Sequence, residues 1–245
     1  MEMILLDWTR LGLNFCLAGA VADKSGWRIV RPMQARSRAE RIRKFGWPAH
    51  ALRGHGRWEI FQLVEVEPAE PEPPHLEDLW VRGLRATGRS ASTDQRRAIL
   101  QATLLKDGEP LFGVPLTATR AAGFLPSGTG TRSLVTVIVA ASRLQFAGSW
   151  RQEIHADLRV QVPVPELGTP WLPVKDFALL ERTKPADYRD LDGHVAALSV
   201  AVRAMGERVA LRLGLSRPFE AGDAKGPPVC WLMADGFFSL TDPQP

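Results

Sequence analysis

Two short runs set carboxylates beside an imidazole: His75-Leu76-Glu77-Asp78 and Asp190-Leu191-Asp192-Gly193-His194. Such groupings can move protons or hold a nuclease metal. Both also read as turn and cap chemistry, with Asp192 positioned to cap a helix starting near His194. The histidines are His50, His55, His75, His155 and His194, and the cysteines are Cys16 and Cys230. They make no HExxH pair and no zinc-ligand spacing. Ser127-Gly128-Thr129-Gly130-Thr131-Arg132 is rich in glycine like a phosphate loop. It lacks the lysine, however, and a strand follows where a helix is needed. A hairpin or connecting loop is the plainer reading, with Arg132 still available to a phosphate. No GxSxG elbow or Ser-Lys dyad is present. The expectation is a chain that is not an enzyme, with no catalytic residue, no metal and no cofactor.

The densest chemistry is basic. Between residues 28 and 57 stand Arg28, Arg31, Arg36, Arg38, Arg41, Arg43, Lys44, Arg53 and Arg57 against one acid, Glu40. Trp27, Phe45, Trp47 and Trp58 are interleaved with them. Cations neutralise phosphates, and flat π-faces stack on bases at about 1–3 kcal/mol per base. The expected phosphate contacts are Arg28, Arg31, Arg36, Arg38, Arg41, Arg43, Lys44 and Arg57, with Trp47 and Trp58 for stacking. The competing reading is a solvated arginine-rich segment whose tryptophans belong to the core.

From Glu59 to Asp78 every charge is negative, and Arg82, Arg85, Arg89, Arg96 and Arg97 then reverse the sign against Asp94 alone. Charge segregated in blocks gives a strong local field even at a net charge of +4. Acidic strands folding onto the basic blocks would instead neutralise them. The isoelectric point of about 9.4 says less, because 31 basic residues exceed 27 acids only through a few lysines.

The elements that position these residues are mostly strands. The chain has 245 residues, 45% of them hydrophobic, enough for one large domain or two small ones. Its longest apolar run, Leu134 to Ala141, is far below the ~20 residues of a membrane helix. The opening Met1-Glu2-Met3 lacks the basic and apolar regions of a signal peptide, so a cytoplasmic location without membrane contact is expected. Ile4–Leu6, Phe15–Val21 and Trp27–Val30 are β-prone stretches separated by turns at Leu11-Gly12 and Asp23–Gly26. Residues 57 to 66 alternate but slip by one near Gln62-Leu63, which suits a bulge or a strongly coiled strand.

An amphipathic helix is predicted over residues 92–106, capped by Ser92 or Thr93 and burying Ile99, Leu100, Thr103 and Leu104. Ser133 to Ala141 reads as an apolar strand continued by Ser142 to Phe146, with a turn at Gly148-Ser149 and alternation from Trp150 to Val164. A second helix spans His194 to Gly206, and strands cover Arg208–Leu215 and Val229–Ala234. Two β-rich halves joined by a helical connector fit two small barrels or one sandwich.

Several phrases recur in a familiar order: Gly26-Trp27-Arg28-Ile29-Val30-Arg31-Pro32, Pro74-His75-Leu76-Glu77-Asp78-Leu79-Trp80, Leu111-Phe112-Gly113 and Ser133-Leu134. They continue with Leu172-Pro173-Val174-Lys175-Asp176, the run Leu213 to Phe219, and Val229-Cys230-Trp231-Leu232-Met233-Ala234. In this order, over essentially the whole chain, they resemble the dual-OB (DuOB) domain family of bacterial and archaeal proteins. This sequence has Lys175-Asp176 where that family usually has Thr-Asp, and Asp78-Leu79-Trp80 where its histidine phrase ends in Asn-Trp.

The resemblance implies a mainly β fold of two tandem OB-like β-barrels with a short helical connector. Residues 1–80 would form the first barrel, 81–110 the connector and 111–245 the second barrel. It also implies binding of nucleic acid or nucleotides in prokaryotic defence or conflict systems. The functional expectation is a non-catalytic binder of single-stranded nucleic acid or RNA. The alternative is a protein-interaction or scaffold subunit of a nucleic-acid-processing complex, and a weaker one is a nucleotide sensor.

Overall fold

Asp23 and Gly26 close a tight hairpin, Gly26 adopting φ 122°, and the strands flanking it run longer than their apolar centres alone predict. The computed structural model describes all residues except 12–13, 25, 35–45, 49–51, 53–57, 69–76, 120–121, 152–154, 219–227 and 241–245. It divides into two units, the break falling between Thr103 and Leu104.

The first unit contains β1 (Glu2–Leu11), β2 (Asn14–Asp23), β3 (Gly26–Gln34), β4 (Trp47–Pro48), β5 (Gln62–Pro68), β6 (Asp78–Ser90) and α1 (Thr93–Thr103). β1, β2 and β3 pair antiparallel in sequence order. β3 then pairs parallel with β6, β6 antiparallel with β5, and β5 antiparallel with β1. Those five pairings close a ring, a five-strand barrel of OB-like type. Met3, Leu5, Ala20, Val30, Val64 and Val81 are buried in it.

Closure demands a tight approach at Gly19, where a Cβ would lie 2.6 Å from the Ile4 carbonyl oxygen and 2.5 Å from Met3. The bulge expected near Gln62 is present as a register shift between Gln62 and Val64. Phe61, just before it, is buried at a φ of 63° that a non-glycine residue rarely adopts. The helix after β6 is capped reciprocally. Ser92 Oγ accepts from Gln95 N–H at 3.2 Å, and Gln95 Oε1 accepts from Ser92 N–H at 2.9 Å. Ile99 and Leu100 are buried, and α1 packs against β3.

The span 81–110, expected as a connector, is divided by the boundary at Thr103. Trp80, Val81 and Leu84 are buried while Arg82 and Arg85 face out, so residues 81–90 complete β6 within the first sheet. The helix also belongs to the first unit, and residues 104–110 to the second.

The second unit contains β7 (Thr117–Ala118), β8 (Gly123–Pro126), β9 (Leu134–Ala140), β10 (Gln145–Arg151), β11 (His155–Gln161), β12 (Trp171–Pro173), α2 (Phe177–Thr183), α3 (Leu191–Arg203), β13 (Arg208–Leu215) and β14 (Val229–Ser239). One sheet has the order β7-β8-β14-β13-β9 and the other β10-β11-β12. A parallel bridge from Val174 to Ala234, with Lys175 N–H donating to Ala234 O at 2.8 Å, links the two into a half-barrel. Phe112, Val160, Leu172, Leu198, Leu211 and Leu232 lie in its core.

Three local expectations change. A 3₁₀ turn, Ala141–Arg143, separates β9 from β10, so the strand is not continuous there. Gly148-Ser149 lies inside β10, paired with Leu158 and Asp157, and is not a turn. Its glycine answers to packing: a Cβ at Gly148 would sit 2.8 Å from Leu191 and 3.1 Å from Val195. Finally, α3 starts at Leu191, because Asp190 and not Asp192 caps it, Asp190 Oδ1 accepting from Gly193 N–H at 2.8 Å.

Candidate nucleic-acid interface

Both ends of the basic segment are fixed to the first barrel. At one end β3 carries Arg28, whose side chain is 51% exposed and whose Nε lies 3.3 Å from Asp23 Oδ2 across the hairpin. At the other end Gly46 adopts φ 86°, and a Cβ there would be 2.6 Å from the Phe15 carbonyl oxygen. Only glycine permits that approach, and it lets Trp47 and Pro48 pair with Phe15 and Asn14 of β2.

Arg31 behaves differently from Arg28. The parallel register puts it opposite Asp78, and its Nε lies 4.0 Å from Asp78 Oδ1 with both side chains buried. Its N–H also donates to Glu77 O at 2.7 Å. Arg31 thus holds the β3–β6 seam, and its charge is enclosed where a phosphate contact needs it exposed.

The two tryptophans are core anchors. Trp47 is 3% exposed and its Nε1–H donates to Pro32 O at 2.7 Å. Trp58 is 6% exposed and its Nε1–H donates to Leu52 O. A buried indole needs an acceptor for its N–H, and both find one on a nearby backbone. Neither ring offers a face to a base, so the stacking expectation for Trp47 and Trp58 is not met in this structure. Arg36, Arg38, Arg41, Arg43, Lys44 and Arg57 lie outside the described residues.

Four arginines of the second basic block, Arg82, Arg85, Arg89 and Arg97, pair with carboxylates. Antiparallel pairing sets Glu65 opposite Arg85, and the two side chains form an ion pair. Arg82 pairs with Glu67 at 3.6 Å, Arg89 with Glu2, and Arg97 with Asp94 at 3.4 Å. Arg96 lies over the Phe61 ring, 5.2 Å from its centroid. The hydrogen bond and charge of Arg85 hold the Glu65 carboxyl below its ordinary range. These pairs are exposed and contribute little stability, but they remove the net positive field that the β6 arginines would otherwise project.

The remaining chemical candidates serve the fold. Arg132 donates from Nε to Leu111 O at 2.7 Å and from Nη2 to Pro110 O at 3.0 Å and Glu109 Oε2 at 3.1 Å, clamping that turn. His194 Nε2–H donates to Leu180 O at 3.2 Å and ties α3 to α2. Burial pushes its pKa below the ordinary value of 6.5. His75 lies outside the described residues. Among the described residues no three metal-ligating side chains cluster, and no helix is long and apolar enough to cross a membrane.

Two carboxylates that the sequence reading passed over do much of the positioning. Buried Asp176 caps α2 by accepting from Leu179 N–H at 2.9 Å, and its other oxygen accepts from Phe237 N–H at 3.1 Å. Asp before the apolar run Phe177-Ala178-Leu179-Leu180 is a readable cap signal. Glu166 accepts from Leu111 N–H at 2.7 Å and Leu116 N–H at 2.9 Å, a long-range latch with no local signature. The chain matches no family model, no curated protein and no solved structure.

Proposed function

We propose that the chain is a pair of OB-like barrels in tandem, of the DuOB kind, that binds single-stranded nucleic acid or RNA without catalysis in a prokaryotic defence setting. The observation that carries the reading is the ring order β1-β2-β3-β6-β5 with its one parallel pair, the strand order of an OB barrel. Such barrels bind oligonucleotides on the face of their second and third strands and the adjoining loops. Here the arginine-rich segment lies in the chain between β3 and β4, and β4 pairs with β2. The second unit supports the same reading. Its β10-β11-β12, β12-to-β14 and β14-β13-β9 links follow the same order, with α2 and α3 inserted before β13.

The contact set is Arg28, Arg36, Arg38, Arg41, Arg43, Lys44 and Arg57, with Trp47 and Trp58 anchoring the segment that bears most of them. Replacing Arg38 and Arg41 together by glutamate is expected to weaken binding of a fluorescent single strand at least tenfold, read by anisotropy. Each lost phosphate contact and each added repulsion lowers the counterion-release term. Unchanged binding by that double variant would refute the assignment.

A further inference from the structure

β9 ends the five-stranded sheet of the second unit, and among the described residues a strand pairs along only one of its edges. On that edge β13 pairs with it from Arg208–Ala140 to Gly214–Leu134. On the other edge the chain leaving α1 makes a single parallel bridge, Leu104 to Thr136, with Leu105 N–H donating to Thr136 O at 2.8 Å. It then turns away, Glu109 N–H donating to Lys106 O at 3.1 Å and Gly108 adopting φ 78°.

Backbone groups alternate in direction along a strand. Ile138, two residues beyond Thr136, therefore aims its N–H and C=O at the same outer edge. Across a cleft of about 320 Å³ stands Pro163-Val164-Pro165. Its prolines have no N–H, and Val164 N–H is already given to Gly168 O at 2.6 Å. Leu104, Leu105, Val137, Ile138 and Val139 line the apolar part of the cleft. Its ends are charged. Exposed Asp107 lies where the chain's own bridge departs, and exposed Arg208 lies opposite Ala140, both in the lining.

We propose that this cleft takes the apolar C-terminal peptide of a partner protein by strand addition. The Leu104–Thr136 bridge begins a parallel strand that the peptide would continue past Ile138, so its chain direction follows β9. That direction delivers the terminal carboxylate to Arg208 and an upstream cation to Asp107. The stretch from Thr136 to Ala140 spans about 13 Å, room for three or four extended residues. Main-chain bonds to Ile138 supply affinity, and the apolar lining with the two charges supplies specificity.

The test uses the full chain and a fluorescein-labelled peptide of sequence KSVVIV with a free carboxylate, compared with its C-terminal amide. Anisotropy is expected to report binding of the acid, weakened about tenfold or more by amidation and by Arg208→Glu. Exchange of the Ile138 amide is expected to slow when the peptide is bound. Equal binding of acid and amide, no effect of Arg208→Glu, no binding at millimolar peptide, or an unprotected Ile138 amide would each overturn the proposal. Protection of Ile138 by a single-stranded oligonucleotide in place of the peptide would overturn it in favour of nucleic acid at this cleft.

Discussion

At the scale of single residues, burial decides whether a polar group acts on a ligand or on the fold. Asp176 sends one oxygen to the first turn of α2 and the other to β14. Asp176→Ala leaves two buried donors unmet and is expected to cost about 2–4 kcal/mol in urea unfolding, with Asp176→Asn recovering part of the loss. His194 gives a pH signature. Its folded pKa is depressed by burial between α2 and α3, near Lys184 and Glu181. As pH falls below the unfolded value of 6.5, the unfolded chain takes up the proton first and the folded state is destabilised. The loss levels off below the folded pKa. Melting temperatures from pH 7.5 to 5 are expected to fall more for the natural chain than for His194→Gln. Trp47 and Trp58 mark where residue type ran out as a guide. A stacking tryptophan and a core tryptophan read alike in sequence, and only the waiting carbonyls of Pro32 and Leu52 tell them apart.

At the scale of elements, what was legible was local. The strand Arg208–Leu215 was legible from its β-prone apolar run, the slip at Gln62 from broken side-chain alternation, and Ser92 and Gln95 follow the capping-box pattern. Gly148 was misread because a glycine that makes room for Leu191 resembles a glycine that turns the chain. For the β6 arginines the sequence left two readings open, a basic field or neutralisation by acidic strands, because their partners, Glu2, Glu65 and Glu67, lie on other strands. Since those pairs already neutralise the face, changing Arg82, Arg85 and Arg89 together with their partners Glu67, Glu65 and Glu2 to glutamine is expected to leave single-strand affinity within about twofold. A tenfold loss in the anisotropy titration would mean that this face, and not the segment from β3 to β4, carries the contact.

At the scale of the whole molecule, two units emerge from pairings that no local pattern encodes. The parallel β3–β6 seam and the β5–β1 closure join segments dozens of residues apart, and the half-barrel depends on one bridge, Val174 to Ala234. The expected mainly β, barrel-forming character survives, while the boundary moves to Thr103–Leu104. The net charge of +4 meant little by itself. Its arrangement is more specific: Arg82, Arg85, Arg89 and Arg97 pair with carboxylates, and binding is therefore proposed on the segment that starts at Arg28.

The most direct measurement is the salt dependence of single-strand binding by the full chain. Each phosphate neutralised on a single strand contributes about −0.7 to the slope of log K against log salt. Contacts by five to seven of the proposed cations therefore predict a slope of about −3.5 to −5. A flat salt dependence, or no binding at low salt, would contradict the account.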